Sequence, residues 1–311
     1  VYVNAPITAT LGTIDIKADT AGTSNQALNL NTPAVLTATA VLTATAGQNI
    51  TLTADSMNLA SNINAGAGTV ALQTKGAGVK IDMGNGTDVG STTASSRTLG
   101  LSNAELNRIT AGKTIIGDTT TGGNISVTAP VTTLDAAGSF YLKTAGNVSI
   151  NSNLTVGNNG GKSLSIEATG TNSTIGGTGA VTANELKIKG SNATVAMAAV
   201  ANQISTISAD VKSLAFKNGK ALSIGTVFAG TNDEQSGIKT TGVTSLTGTD
   251  YVNQTSAISA NGLELLGSTT DFTLNNTTNA VNTIAANAKS VSYTNSQALT
   301  VDQVNNTVGV T

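Results

Sequence analysis

The chain has no Cys, no His and no Trp, only three Pro, and four Tyr and four Phe as its aromatic residues. Without Cys or His there is no disulfide framework, no zinc site built on those ligands, no haem ligation by them, and no Ser-His-Asp or Cys-His nucleophilic device. Charge is scarce as well. Only 10% of the 311 residues are charged, and 15 basic residues against 17 acidic ones leave a net charge of -2. A nearly neutral chain lacks the electrostatic footprint of a nucleic-acid or anionic-membrane binder. No apolar run reaches the roughly 18 residues that would span a bilayer, and no signal-peptide pattern opens the chain. The opening at Val1 reads as the interior of a strand, as expected of a mature form or an excised segment.

What is present is Thr, at about a sixth of the chain, with Val, Ile, Leu and Ala as the apolar component and Gly, Asn and Ser between. Disordered chains escape collapse through high net charge, which is missing here. The composition is that of a β-protein whose core is thin and made of small side chains.

Short alternating segments recur throughout: Thr13–Lys17, Asn49–Thr53, Thr69–Gln73, Val79–Met83, Asn124–Thr128, Phe140–Lys143, Asn147–Ile150, Ser163–Ile166 and Glu185–Lys189. Each puts apolar residues on one face with period 2, the signature of a half-buried strand, and Gly, Asn, Ser and Asp separate them. Two places depart from this pattern. Ser102-Asn103-Ala104-Glu105 reads as a capping box opening a short helical turn through Arg108. Val200, Ile204, Ile207 and Val211 fall at helical spacing, but the segment is short, its surroundings are β, and strand is the reading adopted.

The pattern also repeats. Residues 180–227 align without a gap on 257–304, an offset of 77: Leu186 on Leu263, Asn202 on Asn279, Ile207 on Ile284, Phe216 on Tyr293, Asn218 on Asn295, Val227 on Val304. A shorter direct repeat, AVLTATA, occupies 34–40 and 40–46. Two stacked sheets need large residues to fill the space between them, and this chain has few. A solenoid does not. The expected fold is therefore all-β, a parallel β-helix with at most short helical turns, forming one continuous segment over 1–311 with coils of roughly 20–25 residues. Ile125, Val127, Leu186, Ile188, Leu222 and Ile224 should face inward, with Asn124, Ser126, Lys187 and Ser223 outside. Leu186 and Leu263 should be equivalent interior positions three or four coils apart.

LTADSMNLASNINAGAGTVALQT (52–74), LGLSNAELNRITAGKTIIGDTTTGGNISVTAP (99–130), TANELKIKG (182–190) and SVSYTNSQALTVD (290–302) resemble the repeat regions of filamentous-haemagglutinin-like exoproteins. The resemblance implies a right-handed β-helix, the stalk of an adhesin exported from Gram-negative bacteria by a partner outer-membrane barrel. It implies an extracellular or cell-surface location, and host-cell or surface glycans and proteins as partners.

Enzymatic β-helices need clustered Asp for Ca²⁺ with a basic proton acceptor, or two or three carboxylates around one bond. Here the acids are dispersed and the only adjacent pair, Asp233-Glu234, reads as a solvated loop; Arg97 and Arg108 are the only arginines. Glu105 and Arg108 read as a surface pair on the helical turn. The calcium-binding nonapeptide is missing, and Gly157-Asn158-Asn159-Gly160-Gly161 lacks the Lys and Ser/Thr of a phosphate-binding loop. The Thr-x-Thr pairs 37/39, 43/45 and 51/53 would form an ice-binding array only if they stacked in register; outward Thr in strands is the simpler reading. The sequons at Asn49, Asn124, Asn147, Asn153, Asn172, Asn192 and Asn253 are mostly chance in such a composition. No catalytic, cofactor-binding or metal-ligating residue is assigned, and no concave site should gather three ionisable groups. The leading expectation is a non-enzymatic adhesin rod. The alternatives are a self-assembling filament subunit, in which copies stack end to end through unpaired strand edges, and a carbohydrate-active β-helix.

Overall fold

A computed structural model describes residues 2–10, 12–17, 35–38, 41–44, 47–91 and 93–311. Strand makes up 58% of the structure and helix 5%, and the fold is an all-β parallel β-helix. Every alternating segment named above contains a strand, and residues 200–211 lie inside the strand Val181–Asn218. The chain forms two compact units, Val1–Lys162 and Ser163–Thr311.

In the first unit, three strand faces recur along the chain. On one, Ile50, Val70, Thr114 and Phe140 are successive partners, and beside them Leu52, Leu72, Ile116 and Leu142. The second stacks Ile81, Ile125 and Val148 next to Met83, Val127 and Ile150. The third stacks Leu42, Ile63 and Ile109. All of these residues are almost fully buried. Period-2 alternation sends one column inward per alternate residue, and parallel register places like on like, so medium-sized side chains fill the interior without large aromatics. Thr114 is the polar exception, and its hydroxyl donates to Ala137 O at 2.7 Å.

One coil of this unit is longer than its neighbours. Thr69–Gln73 pairs with Lys113–Asp118, 44 residues on, because the chain between them makes an excursion. Lys80–Gly84 is followed by a short antiparallel bridge, Val89 to Thr98, and then by Thr98–Ser102, which lies parallel to Lys80–Gly84 and against Ser56–Leu59. The excursion inserts an additional strand in one face. It ends in the expected helical turn, Asn103–Leu106, with the Ser102/Glu105 capping box formed reciprocally.

The second unit follows the same scheme. Leu214, Thr244, Leu263 and Ile284 form one inward column, and Leu222, Val252, Phe272 and Val291 another. Partners are 20 residues apart in simple coils, as for Ile238 and Ile258, and 30 apart where a hairpin intervenes, as for Leu222 and Val252.

The two copies of the 77-residue repeat are built around the same buried asparagines. Asn202 Oδ1 accepts from Val181 N–H (2.9 Å), and its Nδ2 donates to Met197 O and Lys217 O (2.9 Å each). Asn279 Oδ1 accepts from Ile258 N–H (2.8 Å), and its Nδ2 donates to Leu274 O (3.1 Å) and Thr294 O (2.9 Å). Each partner is displaced by 77. Asn218, bridging Ile204 and Lys220, and Asn295, bridging Val281 and Gln297, match in the same way. An amide presents one acceptor and two donors in a plane, which suits it to close corners where the strand ladder is interrupted.

Leu186 and Leu263 are both fully buried, but the repeat does not return to the same column. Ile207 pairs with Ile224 and onward to Gln254, whereas its counterpart Ile284 stands in the Leu214–Thr244–Leu263 column. Seventy-seven residues hold one 30-residue coil, two of 20 and 7 more, about one face's length. Equivalent positions are thus turned by one face about the coil axis. Repeat length and coil length are independent, and only the second is set by register.

Candidate functional site

Two hairpins leave the second unit's coils at positions 77 residues apart. Thr226–Val227 pairs antiparallel with Gln235–Ser236, and Gln303–Val304 with Thr307–Val308. In each, the first strand is followed by a non-glycine residue in the left-handed region, Phe228 at φ 54° and Asn305 at φ 51°. Each folds over a charged side chain on the outer surface of a strand, Lys187 and Glu264, which are 8% and 5% exposed. Those two positions are also 77 apart, so the copies carry opposite charges at one place.

Lys187 faces outward, as expected from its alternation, but it is not solvated. Its ammonium donates to Asp233 O at 2.6 Å and lies 6.0 Å from the centroid of the Phe228 ring. Neighbouring Glu185 accepts from Phe228 N–H (3.0 Å) and Ser163 Oγ (2.8 Å). Glu264 accepts from Ser245 Oγ (2.6 Å), Asn305 Nδ2 (2.7 Å) and Thr307 Oγ1 (2.9 Å). A buried charge is tolerated where such partners replace water, and here they also clamp the hairpins. Asp233-Glu234 stands at the tip of the first hairpin. Glu234 is exposed and accepts from Gly230 N–H at 2.7 Å, while Asp233 serves Lys187 through its backbone carbonyl.

A groove of about 390 Å³ is lined by Glu167, Thr169, Lys189, Gly190, Ser191 and Asp210. This overturns the expectation that no concavity gathers three ionisable groups. Tertiary register is the cause. Glu167 is the parallel partner of Lys189, with Nζ to Oε1 at 3.7 Å, and Asp210 is the partner of Lys239. Residues far apart in sequence are brought side by side, Glu167 against Lys189 as an ion pair and Asp210 in register with Lys239.

A second groove, also about 390 Å³, is lined by Ser205, Lys220, Ala221, Leu222, Ser223, Asp250, Tyr251 and Asn253. Tyr251 is 52% exposed and is the one aromatic among the exposed large apolar side chains of the described residues. Lys220 donates to Ser205 Oγ at 3.0 Å, and burial lowers its pKa. Asp250 is exposed and accepts from Tyr251 N–H at 2.7 Å. Asn253 Oδ1 is buried and accepts no hydrogen bond. Sequence reasoning passes over Tyr251 and Lys220. The available signal was an aromatic residue at a turn, Asp250-Tyr251, in a chain nearly devoid of aromatics.

Several ionisable groups in the first unit are structural. Arg97 pairs with Asp55 at 2.9 Å, both nearly buried, and Asp55 also accepts from Lys75 and Gly76 N–H. Asp88 accepts from Ser56 Oγ and from Gly100 N–H; burial raises its pKa, the Glu105 charge adds to the rise, and the hydrogen bonds oppose it. These contacts pin the excursion between Gly84 and Thr98. Glu105 and Arg108 meet through Leu59: Glu105 Oε1 accepts from Leu59 N–H at 3.0 Å and Arg108 donates to Leu59 O at 2.7 Å. The expected surface pair is replaced by a bracket on a neighbouring strand, because the helical turn packs against the coil.

Thr51 and Thr53 do not stack on further threonines; their partners are Asp15 and Lys17 on one side, Ala71 and Gln73 on the other. Thr39, Thr45 and parts of the AVLTATA repeat lie outside the described residues. Among the described residues no three acidic side chains cluster to hold a metal, and no helix is long and apolar enough to cross a membrane. Comparison of the chain with protein-family models, with curated proteins and with solved structures finds no match.

Proposed function

We propose that this chain is a non-enzymatic structural and adhesive segment of an extracellular protein, displayed on or released from a Gram-negative bacterial surface. The observation that carries the reading is the engagement of charge in the second unit. Lys187 and Glu264 clamp hairpins, and the groove acids Glu167 and Asp210 stand in register with lysines. Carboxylates that a glycosidase or lyase keeps free for proton transfer are here, at Glu185 and Glu264, accepting the hydrogen bonds that hold hairpins to coils. The resemblance of residues 52–74 and 99–130 to filamentous-haemagglutinin-like exoproteins supports the same reading. It adds export through an outer-membrane partner, and surface glycans or proteins, or further copies of the chain, as ligands.

Beads coated with the purified chain test it, applied to cell monolayers beside albumin-coated beads. Attachment above the albumin level is expected. Incubation with neutral and acidic polysaccharides, with and without Ca²⁺, should release neither reducing sugars nor unsaturated products. Failure of attachment, or release of either product, overturns the reading.

A further inference from the structure

We infer that the groove around Tyr251 is a binding site for a neutral saccharide. Ligand sites are typically concave, with a few polar groups placed around an apolar surface, and volumes of about 300–1,000 Å³ are usual. This groove meets that description at about 390 Å³. Parallel register builds it. Leu222 pairs with Val252 and Ser223 with Asn253, so alternation turns Ala221, Ser223, Tyr251 and Asn253 outward together from two adjoining coils.

The chemistry of the lining selects the ligand. Phe140, Tyr141, Phe216, Phe228, Phe272 and Tyr293 do not line the groove. Tyr251 leaves a ring half in solvent beside Ala221, an apolar plate of the size of one pyranose C–H face. Around it stand groups that need hydrogen-bond donors. Asn253 lines the groove as well, with its Oδ1 buried beneath the surface. Asp250 adds an exposed carboxylate, and the Ser205 and Ser223 hydroxyls accept or donate. Sugar hydroxyls supply donors at the edge of the same ring whose face would rest on Tyr251. The one lysine, Lys220, is opposed by the one carboxylate, Asp250, so the lining has no net charge with which to prefer an acidic sugar. At the repeat-related position, Gln297 replaces Lys220 and donates to Asn282 at 2.7 Å, as Lys220 donates to Ser205. The corner is kept in both copies, and the groove around Tyr251 has the charged form.

The inference deepens the adhesive reading and rests on it for its biological sense, but the groove is tested separately. Saturation-transfer NMR on the full chain would use trimers of glucose, galactose, mannose, N-acetylglucosamine and galacturonic acid as probes. At least one neutral trimer should bind, with a preference over trigalacturonate. Tyr251→Ala should weaken that binding at least about tenfold with an unchanged melting midpoint, and Tyr251→Phe, which keeps the ring, should bind within about threefold of wild type. Binding of no neutral trimer, equal binding by Tyr251→Ala, or tighter binding of trigalacturonate would overturn the assignment. Coated beads that still attach to cells after Tyr251→Ala would leave adhesion standing and remove the groove from it.

Discussion

Replacing Asn202 with alanine removes a side chain that holds three backbone groups at once. Val181 N–H would lose its acceptor, and Met197 O and Lys217 O their donors. Asn202 is 1% exposed, so water does not reach these groups without local opening. A buried polar group stripped of its partner costs about 1–3 kcal/mol, and carbonyls suffer less than N–H groups, which places the whole loss at about 3–6 kcal/mol. That is a large fraction of the roughly 5–15 kcal/mol by which a domain is stable. Urea denaturation followed by far-ultraviolet circular dichroism measures it, with exposed Asn192→Ala as the control. Asn279→Ala should cost at least as much, because Asn279 also exchanges hydrogen bonds with Gln254. A loss below about 1 kcal/mol for Asn202→Ala would refute the claim that the amide closes the corner.

Leu263→Asp places a carboxylate in a filled column beside Thr244 and Ile284 and should cost several kcal/mol, on the order of 3–5, by the same denaturation assay. Ser102→Ala breaks the capping box and should cost about 0.5–2 kcal/mol, with faster amide exchange at Glu105, whose N–H bonds to Ser102 Oγ. Burial alone would raise the Asp118 pKa, but hydrogen bonds from Thr121 and Thr120 hold it below its ordinary 3.8. Its contribution to stability is therefore present above pH 3.8 and is lost as the pH falls through the lowered value. The acid limb of the stability curve should flatten in Asp118→Asn, and an unchanged limb would contradict the assignment.

Much of the architecture was legible because period-2 alternation survives in short segments such as Asn124–Thr128 and Glu185–Lys189, whatever they pair with. The capping box at Ser102 was legible because it is local. The matching of Asn202 with Asn279 and Asn218 with Asn295 was visible as identity, but not as paired corner brackets, since their partners lie up to 21 residues away. Lys187 reads as an outward residue, and its counterpart Glu264 draws no notice, because nothing in their own strands announces the hairpins that cover them. The Glu167–Lys189–Asp210 groove and the Tyr251 groove arise from register between coils, which sequence distance does not reveal. The additional strand Thr98–Ser102 was hidden for a related reason: an excursion from a coil looks like any polar loop until its end is seen to pair.

The parallel course of the coils is the claim on which the rest depends, and a chain without cysteine allows a direct test. Asp271 is the partner of Ser290 and Thr273 of Ser292, and none of the four is buried. Parallel pairing puts each set of Cα atoms about 5 Å apart, within disulfide range, while the crossed combinations lie about 8 Å apart and outside it. Oxidation of Asp271→Cys with Ser290→Cys, and of Thr273→Cys with Ser292→Cys, should give the cross-linked band on non-reducing gels. Asp271→Cys with Ser292→Cys, and Thr273→Cys with Ser290→Cys, should not. The reverse outcome, with the crossed pairs linking and the direct pairs remaining free, would mean antiparallel strands and would contradict the β-helix.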